Sequence, residues 1–202
     1  MGAERSAVLL DWGGVMTGDL FGSFSAFCTA EGLDPGTLAA LFRHDREART
    51  LLIDFECGRL EEADFEPRLA TAMGLADHDR LIDRLFAGAA VDDAMVDGVR
   101  ALRARGVHTG LVSNSWGTQR YPRDLLTELF DGIVISGEEG FRKPDPRMYE
   151  LGARRIGVAP EACVFVDDLA FNLDAARELG MAVVHHTSAA TTLAELDELL
   201  TS

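Results

Sequence analysis

"AVLLDWGGVMTGDL", residues 7–20, sets a run of four apolar residues against one acid, Asp11, with Gly13 and Gly14 close behind it. A short apolar run ended by a polar residue reads as a strand buried on both faces. A carboxylate at the mouth of such a strand costs desolvation energy unless something there requires it. The rest of the chain says what that something is.

Downstream of Gly106, short β-rich runs alternate with helical patterns. "VHTGLVS" leads to "YPRDLLTELF", "GIVIS" to "DPRMYELGARRI", "ACVFVDD" to "AFNLDAARELG", and "MAVVHH" to "TTLAELDELL". Strands alternating with helices of this length imply an α/β fold, a doubly wound parallel sheet of Rossmann-like type with helices on both faces. "AVLLD" supplies one more strand of that sheet.

Between Thr17 and about Ala90 no strand pattern occurs. Asp34-Pro35 predicts a helix start, with the acid as N-cap and the proline in the first turn. "LEEADFEPRLATAMG" predicts a second helix on Leu60, Phe65, Leu69 and Met73, with Pro67 in its first turns, and "DRLIDRLF" a third. The chain returns to the sheet through the helix "DDAMVDGVRALRARG". The expected organisation is an α/β core domain of residues 1–16 and 91–202, with a small helical cap domain, 17–90, inserted after the first strand.

The 202 residues are 47% hydrophobic, enough for a substantial core. With 34 acids against 19 Lys plus Arg, the formal net charge is -15, a field that repels nucleic acid and anionic membranes. No apolar run approaches the roughly 18–20 residues of a membrane span. "MGAERSAVLL" has too short an apolar stretch for a secretory signal, and "MGAERS" matches the loose myristoylation pattern by chance. Cys28, Cys57 and Cys163 are odd in number, far apart and set among apolar residues, as reduced thiols of a cytoplasmic protein are.

In a doubly wound sheet, ligands bind outside the carboxyl ends of the strands. Asp11 falls there, as do Ser113 with Asn114, and Asp167 with Asp168. Lys143 precedes Pro144-Asp145-Pro146, where Asp145 can cap a helix and Pro146 can open it. Singly, each has a plainer reading: a strand-end acid caps a turn, a lysine before proline is solvated, a serine caps a helix. Together they make a chemistry. Asp11 and Asp168 can share a hard cation such as Mg²⁺. Lys143, Ser113 and backbone N–H groups near Gly14 can hold an anion's remaining oxygens. A carboxylate beside an electrophilic phosphorus can attack it, and the metal offsets the repulsion between the two anions.

"LLDWGGVMT", "LVSNS", "RKPDP" and "FVDDLAFNLDAARELG" resemble, in order, the nucleophile, hydroxyl, lysine and acidic metal motifs of the haloacid dehalogenase-like hydrolase superfamily. "FECGRLEEADF" is similar to part of the small helical cap of its sugar-phosphate phosphatase-like members. The resemblance covers essentially the whole chain. It implies that Asp11 is nucleophile and metal ligand, that Ser113 and Lys143 bind phosphate beside Gly14 and Asn114, and that Asp168 ligates Mg²⁺. Asp167 contributes directly or from behind, the Gly13 carbonyl can coordinate the metal, and Asn172 helps to hold the acidic loop.

One position departs from the family. Its phosphatases usually carry a second Asp, the general acid and base, two residues after the nucleophile; here that residue is Gly13. Positioned proton transfer is worth about 10²–10⁴-fold in rate. The expectation is therefore a Mg²⁺-dependent phosphomonoester hydrolase acting on a small phosphorylated metabolite through an aspartyl-phosphate on Asp11. The alternative is a weak or silent phospholigand-binding relative. Haloacid dehalogenation ranks lower, because Asp167 and Asp168 repel a carboxylate substrate. Arg43, His44, Arg46 and Arg49 in "FRHDREAR" are either a solvated helix face or a substrate-recognition patch. His185-His186 reads as structural, and no G-x-S-x-G, Walker or G-x-G-x-x-G pattern occurs.

Overall fold

The computed structural model describes residues 5–200. Strands β1 (Ala7–Leu10), β2 (His108–Ser113), β3 (Gly132–Ile135), β4 (Cys163–Asp167) and β5 (Ala182–His185) form one parallel sheet, ordered β3-β2-β1-β4-β5. These are the five runs read from the sequence. Every residue of β1 is fully buried, and the pleat sends its side chains to opposite faces in turn. Val8 and Leu10 join one core cluster with Leu111, Val164 and Val166, whereas Ala7 and Leu9 join another with Val112 and Phe165. A strand covered on both faces needs no polar alternation, which is why "AVLL" has none.

Helices α1 (Leu20–Ala30), α2 (Thr37–His44), α3 (Arg46–Glu56), α4 (Glu62–Met73) and α5 (Leu81–Leu85) follow β1, and α6 (Asp93–Ala104) leads back to β2. Helices α7 (Arg123–Leu129) and α8 (Ser136–Glu139) flank β3, then come α9 (Pro146–Arg155), α10 (Ala170–Glu178) and α11 (Ala189–Leu200). Helices α6, α7 and α11 pack on one face of the sheet, α9 and α10 on the other.

Asp145 accepts the Arg147 N–H at 3.0 Å and Pro146 opens α9, as the sequence predicts. Helix α2 differs. Asp34 accepts the Gly36 N–H at 2.8 Å and its carbonyl accepts that of Thr37 at 2.9 Å, so Asp34-Pro35 closes a turn and the helix begins only at Thr37. Helix α1 carries no clear sequence signal, because "LFGSFSAFC" is apolar without a stripe. "FRHDREAR" is not one helix face: Asp45 ends α2 there and caps α3 through the Glu47 and Ala48 N–H groups.

The helices between β1 and β2 share their own apolar cluster, with Phe27, Phe55, Phe65, Leu69, Ile82 and Leu85. Trp116, from the loop after β2, enters it and meets the rings of Phe24, Phe65 and Phe86 at 5.5, 5.8 and 5.5 Å. Thr17 and Val91 pair as an antiparallel bridge where the chain leaves and re-enters the sheet region. The Ser136 hydroxyl donates to the Glu56 carbonyl. At Gly58 the insert's backbone lies so close to the Gly137 carbonyl that a Cβ would come within 2.3 Å of its oxygen.

Candidate active site

Pairing of Leu10 with both Leu111 and Val166 sets Asp11 one step beyond the last paired rung, level with Val112 and Asp167. Its N–H still reaches the Val166 carbonyl at 3.0 Å. Ser113 and Asp168 stand one residue further out. The order β3-β2-β1-β4-β5 puts β2 and β3 on one side of β1 and β4 and β5 on the other, and this reversal of strand order opens the crevice at the carboxyl end of β1. Strand register and topology together collect the predicted acids and hydroxyl.

Lys143 arrives from the loop before α9 and is fully buried. Its Nζ lies 2.9 Å from Asp11 Oδ1 and 2.7 Å from Asp167 Oδ2. Asn114 holds it in place, accepting the Lys143 N–H at 2.8 Å and donating to its carbonyl at 3.1 Å. The Asn114 amide is thus spent on the lysine's backbone. Asp167 accepts from the Leu169 N–H at 2.8 Å and from Asn172 Nδ2 at 3.0 and 3.1 Å. With Lys143 added, Asp167 is nearly saturated.

Gly14 has φ +77°, and a Cβ there would lie 2.6 Å from Asp168 Oδ2. Glycine is required for both backbone and space. Its N–H donates to Thr17 Oγ1 at 3.0 Å, so it is taken within the chain rather than left for an anion. At Gly13, a Cβ would lie 2.6 Å from Leu20 Cδ1. A side chain at position 13 and Leu20 compete for one space. Ser113 Oγ shares a 2.9 Å hydrogen bond with the Tyr121 hydroxyl, and the Tyr121 ring packs 6.0 Å from that of Trp12.

Asp11, Asp167 and Asp168 each offer an oxygen within 4.8 Å of the others. Burial, opposed by Lys143 but reinforced by Asp167 and Asp168, pushes the Asp11 carboxyl up to about 7. Burial and Asp167 push Asp168 up to about 6. Burial works against the charged form of Lys143, yet Asp11 and Asp167 outweigh it and hold the ammonium above its usual range. Three acids around one lysine leave negative charge uncompensated, and a hard divalent cation with carboxylate ligands fits that set.

Sequence reasoning missed the neighbours. A cavity of about 160 Å³ adjoins Gly13 and Ser113, walled by Trp12, Leu20, Phe86, Trp116 and Tyr121. Nothing in the spacing of these residues marks them as a set. Glu56, at the end of α3, is buried with Arg142 Nε 2.8 Å from its Oε2. Burial pushes its carboxyl up to about 7 against the pull of Arg142 and Lys143.

Arg43, His44, Arg46 and Arg49 are all exposed, and none lines the cavity. Arg49 turns back to the Phe42 and Arg43 carbonyls. His185 Nε2 sits 3.0 Å from the Asp168 carbonyl and His186 Nδ1 2.9 Å from the Thr192 hydroxyl. Cys28, Cys57 and Cys163 are buried and unpaired. Among the described residues, no helix is long and apolar enough to cross a membrane.

A family model for haloacid dehalogenase-like hydrolases matches residues 6–180, so the chain belongs to that family. It is 33% identical over 151 residues to the sesquiterpene phosphatase astK of Aspergillus oryzae, a match covering 72% of this chain and 77% of that one. It is 32% identical over 126 residues to the glyceraldehyde 3-phosphate phosphatase of Methanopyrus kandleri, covering 60% and 52%. The chain spans only 23% of the length of bifunctional epoxide hydrolase 2 of Rattus norvegicus, to which it is 28% identical over 126 residues. Its fold matches a HAD family enzyme of Bacteroides thetaiotaomicron solved with magnesium and inorganic phosphate, at TM-score 0.66 and 21% identity, covering 91% of this chain and 94% of that one.

Proposed function

We propose that the protein is a Mg²⁺-dependent phosphomonoester hydrolase that acts on a small phosphorylated metabolite in the cytoplasm, with residues 17–90 as a cap domain over a core of 1–16 and 91–202. One observation carries the reading: a buried strand-end carboxylate, Asp11, lies 2.9 Å from a buried lysine and beside two further acids. The phosphatase relative and the neighbour solved with magnesium and phosphate support it.

Asp11, Asp168 and the Gly13 carbonyl would hold the metal, with Asp167 in support; once bound, it supplies the positive charge that lets one anion approach another. Lys143 and Ser113 bind the phosphoryl oxygens. An Asp11 oxygen attacks phosphorus, the ester P–O bond breaks, and the departing alkoxide takes a proton from solvent. Water then attacks the aspartyl-phosphate, releasing inorganic phosphate and restoring the Asp11 carboxylate. Gly13 offers no proton to the leaving oxygen, so esters of acidic alcohols turn over fastest.

The test is phosphate release from p-nitrophenyl phosphate with Mg²⁺, comparing wild type with Asp11→Asn. Turnover in wild type falls by roughly 10³-fold or more in the variant. A folded wild type that hydrolyses neither this ester nor a broad metabolite panel overturns the proposal. The second reading, a silent phospholigand-binding protein, draws on Leu20 filling the space beside Gly13. It predicts binding of a phosphate analogue with Mg²⁺ and no turnover.

A further inference from the structure

Resting on the phosphatase reading above, we infer that the substrate's leaving group is small and apolar: one six-membered ring, or a chain of about five or six carbons, on the ester oxygen. The cavity beside Ser113 and Gly13 has a volume of about 160 Å³. An apolar cavity of about 150 Å³ is large enough to hold benzene. Trp12, Leu20, Phe86 and Trp116 give this one an apolar wall, and ring contacts hold the three aromatic members. Trp116 is packed against Phe24 and Phe86 at 5.5 Å each, and Trp12 against Tyr121 at 6.0 Å. The walls are built before a ligand arrives.

Apart from the buried Arg120 Nε, which has no partner, the polar side chains named here on the wall are already engaged. Arg120 is the cationic side chain on the wall, but Glu62 takes both of its terminal nitrogens and Asp83 accepts from Nη2 at 2.8 Å. Arg80 also pairs with Asp83 at 3.0 Å, so the two carboxylates and two guanidiniums balance one another, and the Arg120 charge is not left over for a second anionic group on the substrate. Thr17, also on the wall, accepts from Gly14, and the Asn114 amide is bound to Lys143. A sugar in the cavity would set its hydroxyls against Leu20, Phe86 and Trp116 with no partners, a costly burial.

Gly13 belongs to the same design. A side chain at position 13 would begin 2.6 Å from Leu20 Cδ1, so a carboxylate there would enter the apolar space or displace Leu20.

The experiment compares kcat/KM for n-alkyl phosphates from methyl to hexyl, and for cyclohexylmethyl phosphate against glucose 6-phosphate, all with Mg²⁺. Both ring substrates are primary alkyl esters of similar size, and the ring oxygen makes the glucose alkoxide the better leaving group, so leaving-group acidity works against the expected preference. The expected result is a rise of about fourfold per methylene that levels off at five or six carbons, and a preference of about 100-fold for cyclohexylmethyl over glucose 6-phosphate. Phe86→Ser flattens the chain-length slope. A flat slope in wild type, or glucose 6-phosphate used as well as cyclohexylmethyl phosphate, overturns the inference and leaves the chemistry on Asp11 standing. If folded wild type hydrolyses nothing, p-nitrophenyl phosphate included, the phosphatase reading falls. Calorimetric binding of n-alkylphosphonates with Mg²⁺ then reads the cavity directly. The same fourfold step per methylene supports it, and affinity independent of chain length overturns it.

Discussion

At the carboxyl end of the sheet, polar groups are matched one to another: Lys143 to Asp11 and Asp167, Asn172 to Asp167, Asn114 to the lysine's backbone. The cavity beside it is held by ring packing, with Trp116 anchored among Phe24, Phe65 and Phe86. The first region is directional, so a lost partner leaves a buried charge. The second is non-directional, so a lost ring leaves a void. On the proposed function, that difference separates positioning of the reacting phosphate from selection of what it is attached to.

The most severe way to break the contrast is Lys143→Met, which strands Asp11 and Asp167. Removing one partner of a buried ion pair costs about 3–5 kcal/mol, and a lower urea midpoint together with lost turnover is the expected outcome. Trp116→Ala, on the apolar side, costs about 3 kcal/mol by the same measurement. Its kinetic signature differs: hexyl phosphate suffers more than methyl phosphate.

Asn114→Ala sharpens the comparison. It removes both bonds that fix the Lys143 backbone, and a loss of about 1–3 kcal/mol is expected. If Asn114 acts through the lysine, kcat falls for every ester alike, without chain-length dependence.

Glu56 tests the insert's attachment. Its ordinary pKa of 4.5 rises to about 7 in the folded protein. Below 4.5 both states are protonated, and through the window up to about 7 the folded state keeps a proton that the unfolded state releases. Stability from this group is therefore present at low pH and lost as pH rises through 7. Asp11 and Asp168 act in the same direction, so Glu56→Gln makes the fall in urea midpoint shallower without abolishing it. The smallest effect belongs to Arg49→Ala on the exposed face of α3, within about 0.5 kcal/mol. Turnover changing less than twofold (on the order of RT) would set the basic cluster apart from the site.

Legibility followed the same division. The five strands and the cluster at their ends were readable because a parallel sheet fixes its strand ends in register: "AVLLD", "GLVS" and "VFVDD" each stop in polar residues at one edge. Lys143 was readable through "KPDP", whose Asp145 and Pro146 mark the start of α9. Asp34-Pro35 carried the same helix-start signal, but Gly36 and the bonds to Asp34 made a turn of it. Local capping chemistry does not say which of two competing local structures the surrounding packing will select.

The sequence by itself determined the α/β fold, the order of its strands along the chain and the acids, hydroxyl and lysine at the sheet's edge, because buried strands and their ends are marked by local patterns of apolar and polar residues. Only the tertiary structure decided that Asn114 serves the lysine, that the Gly14 N–H is taken by Thr17, that Leu20 fills the space beside Gly13, and that Trp12, Phe86 and Trp116 meet around one cavity. Those contacts join segments far apart in the chain, and apolar packing has no direction or spacing that a linear pattern can record.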